Sequence, residues 1–212
     1  MPEHKAIKVA LVGNPNTGKT SLFNRLTGLN QKVGNYPGIT VDKKQGNCKL
    51  GDDLKAVITD LPGTYSVNPT SIDESIVLRV LKDTKNESFP DVILMVADVE
   101  NLKRNLLLFT QVQDLGIPTV LAINMVDEME KKGISIDIDQ LEKELQTKVV
   151  LISAKKNKGI TELKDLGKLS KLGGRTVLWY MLTTVSAVIL GLFLVNIFQP
   201  GVGLDIEALQ GL

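Results

Sequence analysis

From Ile7 to about Asp165, short wholly apolar runs alternate with longer stretches in which apolar residues recur every three or four positions. The runs Ile7–Val12, Ala56–Thr59, Val92–Ala97, Thr119–Ile123 and Val149–Ile152 predict strands. The periodic stretches predict helices near Lys19–Leu26, Ile72–Leu81, Leu102–Leu115 and Ile138–Leu145. Strands that are apolar throughout are covered on both faces, so the order predicts an α/β fold, a mostly parallel sheet with helices on either side. Lys44–Leu50, followed by Gly51-Asp52-Asp53, predicts an added antiparallel strand and its hairpin turn. No internal repeat or low-complexity tract interrupts the pattern.

The pattern breaks near Leu166. From there to Leu204 the chain holds no Asp or Glu, and Val177–Phe198 carries no charge at all. Those 22 residues would rise about 33 Å as a helix, against a bilayer core of about 30 Å. The expected organisation is an α/β domain over 1–165, a basic juxtamembrane linker over 166–176, a C-terminal transmembrane helix over 177–198 and a short tail over 199–212. A buried core helix is the competing reading of 177–198, but an uncharged run this long exceeds a normal core helix. Lys164, Lys168, Lys171 and Arg175 precede the run, while Asp205 and Glu207 follow it. That asymmetry puts the N-terminal side in the cytoplasm. Trp179 and Tyr180 suit a membrane interface. Thr183, Ala187 and Gly191 form a small-residue stripe that either admits another membrane span or simply faces lipid.

Composition adds exclusions. Lys plus Arg is 25 and Asp plus Glu is 24, a net charge of +1, so no basic footprint points to nucleic acid. One cysteine, Cys48, precludes an internal disulfide and suggests a reducing compartment. One histidine, His4, leaves no His/Cys metal site. No N-terminal signal peptide is expected, since the first apolar run passes straight into a glycine-rich turn.

That turn carries the chemistry. Gly13-Asn14-Pro15-Asn16-Thr17-Gly18-Lys19-Thr20, with Ser21 behind it, fits G-x4-G-K-[ST] between a strand and a helix. In such a loop backbone N–H groups wrap phosphates, Lys19 reaches the terminal phosphates and the Thr20 hydroxyl ligates Mg²⁺. Asp60-Leu61-Pro62-Gly63 ends a strand, placing a carboxylate for Mg²⁺ through water and the Gly63 N–H for the γ-phosphate. Asn124-Met125-Val126-Asp127 ends another, where the Asp127 carboxylate can accept two N–H groups of guanine that adenine lacks. Ser153-Ala154-Lys155 ends the last, where a backbone N–H can meet the guanine carbonyl. Each later motif is weak alone; together, each at a strand end, they specify GTP.

GNPNTGKTSLFNRLTG, VGNYPGITVD, DLPGTYSVNPTSIDE and NLKRNLLLFTQ together resemble the GTPase domain of the bacterial ferrous iron transport protein B family, over about residues 7–166. Met125, where many GTPases carry Lys, fits the same family. The resemblance implies Mg²⁺-dependent GTP hydrolysis. It also implies Thr40 as the switch residue closing on Mg²⁺ and γ-phosphate, and Asn16 as a holder of an activating K⁺. Tyr36 stands where the family often has Trp. Without the family, Asn35–Thr40 reads as a surface Pro-Gly turn. Gln31–Val41 and Leu61–Ser71 are the expected nucleotide-dependent switches. Thr64 occupies the position of the water-orienting glutamine of many small GTPases and is too short for that task, so slow turnover is expected.

That family normally continues into a helical regulatory domain and a many-span permease, neither of which follows Gly159–Leu163 here. Only a short last helix fits before Gly167. The stretch 166–204 instead resembles an early membrane span of the dicarboxylate/amino acid:cation symporter family, through GGRT, the LTT run and QPG. The expected function is a membrane-tethered GTPase. The alternatives are a transport component for iron or dicarboxylate that needs partner chains, since a lone span encloses no path, and a non-functional gene fusion or truncation.

Overall fold

The computed structural model describes residues 6–29, 31–36, 41–50, 54–69, 71–86 and 88–165. The chain divides into two units, Met1–Lys168 and Leu169–Leu212, and the second lies outside the described residues. So do the linker, the span over 177–198 with its Thr183/Ala187/Gly191 stripe, the turn at 51–53 and the switch residue Thr40. Among the described residues no helix is long and apolar enough to cross a membrane.

The first unit is built on a seven-stranded sheet in the order β2-β3-β4-β1-β5-β6-β7. The strands are β1 (Ile7–Val12), β2 (Gln31–Asn35), β3 (Asp42–Leu50), β4 (Leu54–Asp60), β5 (Val92–Asp98), β6 (Thr119–Asn124) and β7 (Val149–Leu151). β2 and β3 pair antiparallel, β3 pairs antiparallel with β4, and the remaining neighbours are parallel. The helices are α1 (Lys19–Thr27), α2 (Ile72–Lys82), α3 (Leu102–Gln113), α4 (Val126–Lys131), α5 (Ile138–Leu145) and α6 (Ile160–Asp165).

Strand alternation sorts the core into two layers. Val9 and Leu11 turn to one face, where they join Leu22, Phe23 and Leu26 of α1 and Ile160 and Leu163 of α6. Ala10 and Val12 turn to the other, joining Ile76 and Val80 of α2 and Leu108, Phe109 and Val112 of α3. The helices on both faces are the reason the parallel strands need no polar alternation.

The five apolar runs and four periodic stretches became strands and helices within about two residues of the expected ends. The stretch at Lys44–Leu50 is indeed an antiparallel strand, beginning two residues earlier at Asp42. Three elements went unforeseen or barely foreseen. β2 has the sequence QKVGN, too polar and too short to register as a strand, and it exists because its backbone completes a ladder on β3. α4 has only six residues, under two turns, too few to show a period. α6 is the short last helix that the sequence allowed.

Candidate functional site

β1 is the strand at which the order reverses, with β4 on one side and β5 on the other. A crevice opens beyond the carboxyl ends of strands at such a switch point. The P-loop fills it, running from β1 into α1. Gly18 precedes the helix in the left-handed region (φ 84°), and no side chain caps the helix. Its first backbone N–H groups are therefore free to meet an anion, with the positive end of the helix dipole behind them. A Cβ on Gly18 would lie 2.3 Å from Nδ2 of Asn124, so the position demands glycine on grounds of space as well as φ.

Within the loop, the carbonyl of buried Asn14 accepts from Thr17 Oγ1 (2.9 Å) and from Lys19 Nζ (3.2 Å). Burial lowers the Lys19 pKa, opposed by the nearby Asp60 carboxylate. Asn16 is exposed, in a left-handed conformation (φ 65°), and its amide makes no hydrogen bond among the described residues. Thr20 Oγ1 donates to Asp60 Oδ2 at 2.9 Å. The other carboxylate oxygen, Oδ1, is buried without a partner among the described residues, as is Oδ1 of Asn14. Burial raises the Asp60 pKa, against the Thr20 hydrogen bond and the charges of Lys19 and Lys44. A hydroxyl beside a carboxylate with one orphaned, buried oxygen suits a hydrated divalent cation, so Thr20 and Asp60 fit the Mg²⁺ roles expected of them.

The loop after β4 is fastened to the P-loop. Leu61 N donates to Leu11 O and Thr64 N to Gly13 O, each at 3.2 Å. A Cβ on Gly63 would lie 3.0 Å from Pro15, so glycine there permits the close approach. Thr64 is fully buried, its Oγ1 within hydrogen-bond distance of two acceptors for its one proton, Ser66 O (2.6 Å) and Glu74 Oε1 (3.2 Å). That hydroxyl is turned into the protein, in keeping with the expectation that Thr64 does not orient water. Beyond it, Gln111 Oε1 accepts from Ser66 Oγ and Val67 N, both at 3.0 Å. Arg104 of α3 stacks over the Tyr65 ring at 4.1 Å. Tyr36 is buried, and its N–H donates to Val41 O (3.2 Å) at the base of residues 37–40. Its hydroxyl has no partner among the described residues, and burial raises its pKa.

The remaining two motifs meet over a cavity of about 550 Å³ lined by Gly18, Ser21, Asn124, Asp127, Ala154 and Lys155 among others. Asn124 joins three elements: Nδ2 donates to Thr17 O (2.9 Å), and Oδ1 accepts from Ala154 N (3.0 Å). Asp127, in the first turn of α4, accepts from Ser153 Oγ at 2.8 Å. That bond, ahead of the Lys156 and Lys131 charges, lowers its pKa and keeps it an ionised acceptor. Met125 reaches α4 through a left-handed turn (φ 68°) that swings the next residues back over the strand ends. The Ala154 N–H is taken by Asn124, whereas that of Lys155 has no partner among the described residues.

Every expected site residue among the described ones therefore lies along this one crevice, from Gly13, Asn14, Pro15, Asn16, Thr17, Gly18, Lys19, Thr20 and Ser21 through Asp60 and Gly63 to Asn124, Asp127, Ser153, Ala154 and Lys155. Sequence reasoning missed Arg25, which lines the cavity and bonds to Ala154 and Lys155 far along the chain, and Glu74 and Gln111, which hold the loop after β4.

This fold and constellation define a P-loop domain of the GTP-binding class. Residues 7–166 match the family model described as ferrous iron transport protein B, and the chain belongs to that family. It is 46% identical over 162 residues to the Fe(2+) transporter FeoB of Leptospira biflexa, covering 76% of this chain and 23% of the relative. The chain thus spans about a quarter of the length of the curated relatives it matches. Among solved structures, it resembles an S. thermophilus NFeoB mutant bound to mGDP (44% identity, TM-score 0.68, covering 74% of this chain and 58% of that one). It also resembles the G domain of T. maritima FeoB (40% identity, TM-score 0.68, 76% and 96%). Residues 149–211 match the sodium:dicarboxylate symporter family model, a longer stretch than the expected 166–204. Its first part, up to Asp165, is the sheet edge and last helix of the P-loop unit.

Asp60 yields a pH test. Its folded pKa lies above the unfolded one, so ionisation opposes folding, and its unfavourable contribution grows as pH rises through the carboxylate range. Asp60→Asn should raise the thermal midpoint of the nucleotide-free chain at pH 7, with the gain shrinking toward pH 4. Melting curves at the two pH values check this.

Proposed function

We propose that this chain is a guanine-nucleotide switch that hydrolyses GTP to GDP and phosphate, in the manner of a regulatory domain for ferrous iron transport. The observation that carries it is the Asn124 amide, which ties the phosphate loop to the last loop beside a cavity faced by the Asp127 carboxylate. Asp127 accepts the two donors of the guanine edge, and a backbone N–H of the Ser153-Ala154-Lys155 turn meets its carbonyl. Adenine offers neither donor pattern and would leave the carboxylate unpaired. GDP-bound relatives among the solved structures support the same reading.

The phosphates lie against the free N–H groups of α1, with Lys19 released from Asn14 O to meet them. Thr20, Asp60 and, in the triphosphate state, Thr40 would hold Mg²⁺, and the Gly63 N–H would face the γ-phosphate. Asn16 would help to hold K⁺, whose positive charge near the phosphates would stand in place of an arginine finger. With Thr64 buried and its hydroxyl turned into the protein, turnover is slow.

The uncharged run 177–198 anchors the chain in the bacterial inner membrane, with the nucleotide domain in the cytoplasm. Iron or dicarboxylate transport would require further spans from partner chains, which the Thr183/Ala187/Gly191 face could receive.

Asp127→Asn should weaken GDP about 30- to 700-fold and admit xanthine nucleotides, whose edge is reversed there. Unchanged GDP affinity by titration would sink the assignment. Asn16→Ala should abolish the stimulation of GTP hydrolysis by K⁺ over Na⁺ while sparing GDP binding; stimulation that survives the substitution removes Asn16 from the ion's site. The full chain should sediment with membranes and resist alkaline carbonate, and release by carbonate would contradict the anchor.

A further inference from the structure

We propose that Lys44 is a positioning residue of the divalent-cation site, a fixed positive charge on β3 that acts beside Asp60 to loosen the hold on the cation and ease nucleotide release. Lys44 belongs to none of the four nucleotide motifs, and sequence alone makes it one of several lysines on a polar strand. The sheet register gives it a particular neighbour. Lys44 stands directly opposite Asp60 in the antiparallel ladder of β3 and β4, four residues along from the pair Cys48 and Ala56. Directly opposed residues project from one face, and a step of four residues returns to that face. Cys48 and Ala56 both belong to the core layer that α1 covers, so Lys44 and Asp60 share the α1 side of the sheet. Thr20 of α1 meets Asp60 at 2.9 Å.

The other ladder neighbour of Lys44 is the apolar Val33 of β2. Among the described residues its ammonium enters no ion pair. The Asp60 carboxyl feels that charge nonetheless: burial dominates there, opposed by the Thr20 hydrogen bond and then by the charges of Lys19 and Lys44. In the occupied site Lys19 is paired with phosphate, which leaves Lys44 as the cation beside the carboxylate. Neighbouring strands lie about 4.8 Å apart, inside a screening length of about 8 Å at physiological salt. A dication arriving at Thr20 and Asp60 gains the carboxylate but meets the like charge of Lys44. The site thus holds the cation less firmly than Thr20 and Asp60 alone would. A cation that bridges phosphate to protein retains the nucleotide, so a looser cation means a faster release.

This inference rests on the reading of Thr20 and Asp60 as cation ligands, and its test separates the two. The full chain is loaded with a fluorescent GDP analogue, and the rate of release is followed against Mg²⁺ concentration, which gives the Mg²⁺ affinity without turnover. Lys44→Met should tighten Mg²⁺ about 3- to 10-fold at low salt and slow release accordingly, with the gain shrinking as salt is raised. Lys44→Glu should tighten it further, and Lys44→Arg, which keeps the charge, should stay within about 2-fold of the parent. Release with Mg²⁺ chelated should be the same in every Lys44 variant. Mg²⁺ affinity that is unchanged or weaker in both Lys44→Met and Lys44→Glu overturns the proposal. So does faster release in chelator, which would make Lys44 a nucleotide contact or a structural support. Asp60→Asn run alongside reports on the cation site itself. If it weakens Mg²⁺ while the Lys44 variants match the parent, the cation reading stands and the Lys44 role falls. If Asp60→Asn leaves Mg²⁺ affinity intact, both fall.

Discussion

Everything at this site depends on one side-chain amide. Asn124 stands at the end of a central strand and spends its two functional ends in opposite directions, toward Thr17 of the phosphate loop and toward Ala154 of the base loop. It is 4% exposed, in a setting where hydrogen bonds are strong and unmet polar groups costly. The three loops leave three different strands and have no covalent reason to keep a fixed spacing. The amide sets that spacing, and Gly18 lacks a Cβ because the amide occupies the place one would take. The distance between a nucleotide's base and its phosphates is therefore matched by a single residue.

The phosphate end of the crevice is arranged differently. There the protein leaves groups unsatisfied: Oδ1 of Asp60, Oδ1 of Asn14 and the uncapped start of α1. Lys19 and Asp60 both lie in surroundings that disfavour their charged forms. Such groups are a burden to the empty protein and an attraction for anions and cations arriving together. Ligands that bind only the folded chain then return the deficit as stability. The contrast between a closed base loop and an open phosphate loop places rigidity where selectivity is needed, and unmet polarity where charge is to be received.

What the sequence made legible follows from the range of the physics involved. Apolar strands, the glycine-bounded loop and the four motifs are local patterns, and their placement at strand ends could be read directly from residues such as Val12, Asp60 and Asn124. β2 could not, because its strand character comes from pairing with β3 and not from its own side chains. Nor could the inward turn of Thr64, which depends on Glu74 ten residues later, or Arg25, whose partners are 129 and 130 residues away. Motif reading assigned the guanine carbonyl to the Ser153-Ala154-Lys155 turn as a whole; only the geometry distinguishes the occupied N–H of Ala154 from that of Lys155.

The bond from Thr64 N to Gly13 O and the seat of Gly63 against Pro15 have a mechanical consequence. The start of the loop after β4 is thereby fastened to the phosphate loop. Beyond it, Tyr65 and Ser66 are held from two helices, by Glu74 of α2 and by Arg104 and Gln111 of α3. A displacement of that loop would therefore load both helices together, as a hinge leaf pulls on two screws.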